Sequence, residues 1–260
     1  MIASVGSAKT PRMTVGCKKH GNERASKTTL MMEWNRRGKR YYHGSKPQGT
    51  NKLNIPADEE RCLRSTFFLD CDHHDVKEKS KELTAHLAEA KDKAVRLFSF
   101  VRDEIRYNVY AARPADTDFK ASHVLAVKEG YCVQKAVLLA ALARAAGIPA
   151  RLRFAEIRAH LTSPELVSKR GSNVFPYHGL TDLYIDGRWV KATPTYDRAY
   201  CEKMNVTPVE FNGKDDAMLP LRTNDGRLNV EYIRDRGFFV DLPLEEIRKA
   251  SVSWRYMEKK

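Results

Sequence analysis

The sequence predicts an α+β domain that follows a basic N-terminal segment. Three observations carry that expectation. Helical apolar spacing is confined to the first half of the body, and strand-like runs flank the hairpin dipeptide Asp186-Gly187 further on. The excess charge lies almost wholly in the first fifty residues. Hydrophobic residues make up 42% of the 260 and charged residues 30%, enough apolar surface to offset chain entropy, so disorder of the whole chain is excluded. The longest aliphatic run, 136–143, is eight residues, against the ~18 a membrane span needs. No membrane partner is expected.

Of the formal net charge of +13, residues 1–50 hold +9, from 11 Lys and Arg against Glu23 and Glu33. The remainder is nearly balanced. Residues 1–60 therefore read as a basic, disordered tail, with 61–260 as the folded domain. Trp34, Tyr41 and Tyr42 beside Arg36, Arg37, Lys39 and Arg40 are the one signal for nucleic acid. A solvated leader is the preferred reading of them, and no nucleic-acid partner is expected. Five cysteines, at 17, 62, 71, 132 and 201, include no C-x-x-C pair, and residues 1–16 hold no apolar signal-peptide core. A reduced, cytoplasmic setting is expected.

Along the body, 61–70 reads as a strand, and Asp75 with Glu78 has capping-box spacing ahead of a helix at 76–87. Ala90, Ala94, Leu97, Phe98, Val101 and Ile105 recur at helical steps. Residues 111–122 read as a loop. A helix at 131–146 follows, stopped by Gly147 and Pro149. Between 132 and 146 only Gln134, Lys135 and Arg144 are polar, so this helix must be buried on most faces. Strands follow at 151–157, then at 177–185 and 188–195 around the Asp186-Gly187 turn. Two further strands at 229–234 and 238–242 precede a short helix at 244–250.

Cys132 opens the buried helix, after Gly130-Tyr131. Unpaired N–H groups and the helix dipole stabilise a thiolate there, and the same N–H groups can receive an oxyanion. Gly130 leaves room for substrate at the sulfur. In the hairpin the two-residue turn pairs Ile185 with Arg188, which sets His178 opposite Thr195 with Thr193 as its diagonal neighbour on the same face. A Cys-His-Thr arrangement results if that face packs on the helix N-terminus.

The segment G-Y-C-V-Q-K-A at 130–136, running on to A-A-G-I-P-A-R at 145–151, resembles the transglutaminase-like superfamily of papain-like cysteine enzymes. So does H-G-L-T-D-L-Y-I-D-G-R-W-V-K-A-T-P-T at 178–195. The likeness extends from about Leu63 to Leu242. It implies a papain-like, transglutaminase-core fold: N-terminal helices, and a buried cysteine helix packed on an antiparallel sheet. It implies Cys132 as nucleophile, His178 as its base and position 193 as the orienting residue. The family carries Asp where this chain has Thr193, whose hydroxyl accepts an imidazole N–H but cannot neutralise imidazolium. Asp197 and Asp182 are the other candidates for that role.

The expected function is acyl transfer on a peptide or protein amide through a thioacyl-enzyme, hydrolysis rather than cross-linking. The alternatives are a non-catalytic module of the same fold with a degraded triad, and a nucleic-acid-associated protein acting through its tail. No cofactor and no metal are expected, since no D-x-D-x-D-G calcium loop is present. Cys71-Asp72-His73-His74-Asp75 has metal-ligand residue types, but neighbouring histidines diverge, and it reads as a polar helix entry capped by Asp75. Cys201, Tyr184 and Trp189 read as packing residues, and His123 as a surface residue. Oligomeric state is not legible.

Overall fold

A computed structural model describes residues 59–111 and 115–250, together with the backbone of two short strands, β1 (Met31–Trp34) and β2 (Arg40–His43), paired antiparallel. The chain divides into the units Met1–Asn51, which holds β1 and β2, and Lys52–Lys260. Apart from those strands, the expected disordered tail at 1–60 lies outside the described residues.

In the larger unit, helices α1 (His74–Thr84), α2 (Ala90–Glu104) and α3 (Ala121–Val127) surround α4 (Cys132–Ala145) on the sides away from the sheet. The sheet is antiparallel, in the order β7 (Arg188–Ala192), β6 (Val174–Ile185), β5 (Ala150–Ala159), β8 (Val230–Phe239). The α+β class is as expected.

Each polar residue of α4 satisfies carbonyls from another segment, which is how a helix apolar nearly all round keeps three of them. Lys135 Nζ donates to Arg102 O (3.0 Å) and Ile105 O (2.6 Å) at the end of α2. Arg144 donates to Ala150 O, Arg64 O and Val240 O. Gln134 Nε2 donates to Asp118 O, while its Oε1 accepts the Tyr131 N–H at the helix entry. From the other sides Ser80 Oγ reaches Leu142 O, and Thr181 Oγ1 reaches Ala136 O.

Several elements differ from expectation. Residues 61–70 form turns, not a strand. Phe68, Leu69, Asp70 and Cys71 are buried consecutively, so the apolar run has no alternation to support a ladder. Asp70 instead caps α3, accepting from Ser122 N and Oγ. The cap of α1 is His73, whose Nδ1 accepts the Asp75 N–H, with Asp75 in the first turn. The expected loop at 111–122 contains a 3-10 turn, Asp116–Phe119, and the start of α3. The two strands expected at 229–234 and 238–242 are one, β8, whose register slips twice against β5. Tyr184 and Trp189 are half-buried and stack at 5.2 Å on the sheet face away from α4.

Among the described residues no helix is long and apolar enough to cross a membrane.

Candidate active site

Two short strands lead into the cysteine. β3 (Arg106–Tyr107) runs parallel to β4 (Glu129–Gly130), and Asn108 N donates to Gly130 O, so the approach to α4 is held from one side. Gly130 is buried, and a Cβ there would meet Gln134 Cβ at 3.0 Å. Its missing side chain makes room for helix packing, not for substrate. The glycine that matters at the sulfur is Gly179 in β6. A Cβ on it would lie 2.9 Å from Val133 Cα, so strand and helix start meet at backbone contact.

Cys132 occupies the first position of α4 and is half-buried. Burial pushes its thiol up to about 11, against the backbone N–H groups of Gly179, Val133 and Cys132 itself and the Arg170 guanidinium, which act to lower it. The expected lowering of this thiol toward neutrality is not found. Removing a thiolate from water costs more here than the first-turn N–H groups return. His178 is buried too, and burial alone takes its imidazole down to about 3. The resting pair is neutral thiol and neutral imidazole.

The helix start meets β6 at Gly179, the residue after His178, where a Cβ would lie 3.2 Å from Cys132 O. The register slips between β5 and β6 just before His178, leaving one extra residue on β6. Such bulges re-aim the side chain that follows them. The imidazole Nε2 and the Tyr232 hydroxyl share a hydrogen bond at 3.5 Å, with the rings edge to face at 5.8 Å.

The hairpin keeps the expected register, Ile185 opposite Arg188, but its ladder ends at Thr181 opposite Ala192. The expected pairing of His178 with Thr195 is not made. Beyond Ala192 the strand turns to Ala217, whose carbonyl takes the Thr193 N–H. Thr193 Oγ1 is buried with no hydrogen-bond partner at normal length, yet lies close enough to act on the Tyr232 hydroxyl. Direct acceptance from His178 by Thr193 is therefore not what the site shows. Asp197 is spent elsewhere: its carboxylate accepts Tyr107 N (2.6 Å) and Tyr200 N (2.7 Å), joining β3 to α6 (Arg198–Met204), which follows Pro164–Arg170 (α5) in the chain. Asp182 pairs with Arg151 and Arg153.

Residues 77–194, from α1 to Pro194, match the family model of the transglutaminase-like superfamily. This segment is a transglutaminase-like core. No curated protein matches the chain. Among solved structures, a candidate cysteine protease from Cytophaga hutchinsonii is similar at 18% identity and a TM-score of 0.44, over 56% of this chain and 45% of that one. The periplasmic domain of TgpA from Pseudomonas aeruginosa is similar at 19% identity and a TM-score of 0.39, over 54% of this chain and 47% of that one. The chain spans under half the length of either.

Beside the cysteine of this transglutaminase-like core, Asp197 assembles an aromatic wall. Tyr107, Tyr196 and Tyr200 pack with ring centroids 4.6–5.1 Å apart. Burial raises the hydroxyl pKa of Tyr107, Tyr131 and Tyr196, and charge on Cys132 adds to it in all three. A cleft of about 400 Å³ opens along the wall, lined also by Tyr110. The segment 159–176 supplies Ala159, Leu161, Thr162, Ser163, Leu166 and Phe175 to its lining, and the loop at 111–122 supplies none. Arg170 lies over the Phe175 ring at 4.2 Å.

His123 pairs with Asp118 on the surface, and Cys201 is buried behind Tyr196. Among the described residues no three His, Cys, Asp or Glu side chains gather as metal ligands. Sequence reasoning missed Tyr232 and Gly179. Gly179 could have been suspected from its place after His178 in a strand otherwise apolar. Tyr232 lies in a strand whose register depends on two bulges, and nothing local marks it.

Proposed function

We propose that this transglutaminase-like core is a cysteine-dependent acyl-transfer enzyme acting on a peptide or protein amide, with hydrolysis as its outcome. The observation that carries the reading is the Cys132 thiol at the first turn of a buried helix, in backbone contact with the strand that carries His178. Cys132 Sγ attacks the amide carbonyl carbon while its proton passes to the imidazole of His178. The first-turn N–H groups of Cys132 and Val133 receive the oxyanion. His178 then returns the proton to the leaving nitrogen, the C–N bond breaks, and a thioacyl-enzyme remains. Water, deprotonated by His178, attacks the thioester and releases the acid and the thiol. Hydrolysis is preferred because water needs no cleft of its own, whereas cross-linking requires one for an amine donor.

The tyrosine-lined cleft suits an apolar or aromatic side chain next to the scissile bond. Among the described residues the thiols of Cys71, Cys132 and Cys201 carry no disulfide, which suits a reducing compartment such as the cytoplasm. A non-catalytic module is favoured only by Thr193 standing where a carboxylate is usual. The test is mass-spectrometric trapping of an acyl group on Cys132 from a peptide library at acid quench. An acyl adduct absent in Cys132→Ala is expected; no adduct with any peptide makes the chain a binding module.

A further inference from the structure

We propose that Tyr232, and not Thr193 directly, is the residue that positions His178, by accepting the imidazole Nε2–H and passing its own O–H to Thr193. The inference rests on the reading of His178 as the base for Cys132. Its premise is the number of hydrogen-bonding sites on a phenol, which has one proton to donate and two lone pairs to accept with.

The Leu219 N–H donates to the Tyr232 oxygen at 3.3 Å and takes one lone pair. Two neighbours remain, His178 Nε2 at 3.5 Å and the otherwise unpartnered Thr193 hydroxyl. A phenol that donated to Nε2 could still accept the Thr193 O–H on its second lone pair, so counting partners allows either direction. The base role decides between them. With Nε2 turned to Tyr232, Nδ1 is the nitrogen left to take the thiol proton, and a protonated Nδ1 cannot accept it. Nε2 therefore carries the ring proton and donates it to the second lone pair of the phenol, whose own proton is then free for the buried Thr193 Oγ1.

The arrangement explains why a threonine is tolerated at a position where a carboxylate is usual. The orienting oxygen is supplied from β8, and Thr193 acts one bond away by fixing the phenol's proton. Burial raises the Tyr232 hydroxyl to about 12, so the group stays a neutral phenol while the imidazole gains and loses its proton. Two register slips in β8, either side of the residues paired with Ala155 and Glu156, bring Tyr232 to this place opposite Ile157.

The test uses the full chain labelled with ¹⁵N-histidine. Two-bond ¹H–¹⁵N spectra near pH 7 report which ring nitrogen of His178 carries the proton. Iodoacetamide labelling of Cys132, followed by peptide mass spectrometry, reports proton acceptance. The wild type is expected to show the Nε2–H tautomer. Tyr232→Phe keeps the ring and its packing, and is expected to admit the Nδ1–H tautomer and slow Cys132 labelling by about tenfold, the value of one neutral hydrogen bond. Thr193→Val should shift the tautomer in the same direction by less. An Nδ1–H ring in the wild type, read without any substitution, overturns the proposal, as does a Tyr232→Phe protein unchanged in tautomer and labelling. If His178→Ala leaves Cys132 labelling unchanged, the base reading fails instead, and the tautomer result identifies which of the two is at fault.

Discussion

Gly179 and Val133 meet at backbone contact: a Cβ on the glycine would stand 2.9 Å from Val133 Cα, so no side chain fits there. One contact thereby fixes the strand that carries His178 against the helix start that carries the Cys132 thiol. The proposed nucleophile and base are held together through backbone, which does not change rotamer.

Gly179→Ala tests that coupling. The new methyl would stand 2.9 Å from Val133 Cα, and backbone cannot yield as a flexible side chain can. Overpacking of this kind costs roughly 1–3 kcal/mol, read as a lower urea midpoint. Labelling of Cys132 should slow at the same time, because separation of β6 from the helix removes the N–H that opposes burial of the thiolate.

His178 should leave a signature in acid stability. Burial lowers its pKa in the folded chain to about 3, from 6.5 when unfolded. Between these values the unfolded chain binds the extra proton, so stability is full above pH 6.5 and is lost as pH falls toward 3. The slope reaches about 1.4 kcal/mol per pH unit. In His178→Asn, unfolding free energies measured from pH 7.5 to 4 should lack this component, so that the difference from wild type is flat above pH 6.5 and changes below it.

Lys135 predicts a dependence of the same sign in a higher pH window. Burial lowers its ammonium to about 7 from 10.5, although Asp197 and Asp103 act to raise it. Between pH 7 and 10.5 the unfolded chain is the more protonated state, so unfolding free energy should rise with pH across that window. Lys135→Met should abolish the rise. Denaturant titrations at pH 7, 8 and 9 on both proteins check it.

Arg170 is a cation that lowers the Cys132 pKa, against the dominant effect of burial. Arg170→Gln should therefore push the thiol higher still and slow iodoacetamide labelling of Cys132 severalfold at pH 8, with the labelling of Cys71 unaffected. Loss of charge at α5 with no change at Cys132 would show that Arg170 acts only by packing on Phe175.

The helices were legible where periodicity is long. Ala94, Leu97, Phe98 and Val101 all lie on the buried side of α2, and the Cys132 helix starts within one residue of expectation. The hairpin register followed from Asp186-Gly187, with both residues at positive φ. Errors arose where non-local pairing decides. The run through Phe67 and Phe68 has strand composition but no strand to pair with, and the Phe68 carbonyl takes the Ala121 N–H at the start of α3 instead. At the proposed site, the meeting of the Cys132 helix start with the strand that carries His178 was anticipated from helix entry and hairpin position. Tyr232 was not, because its approach to His178 depends on bulges in a strand more than fifty residues away. The helix-start argument also overestimated the Cys132 thiolate, since it weighed the N–H groups without the burial that a helix enclosed on all sides imposes.

The most direct measurement of the central claim is the rate of iodoacetamide labelling at each of the five cysteines at pH 7, in wild type and His178→Ala. A His178-dependent nucleophile requires Cys132 to label fastest in the wild type and to slow by an order of magnitude or more when the imidazole is removed, with Cys62, Cys71 and Cys201 unaltered. Equal Cys132 rates in the two proteins would contradict the account.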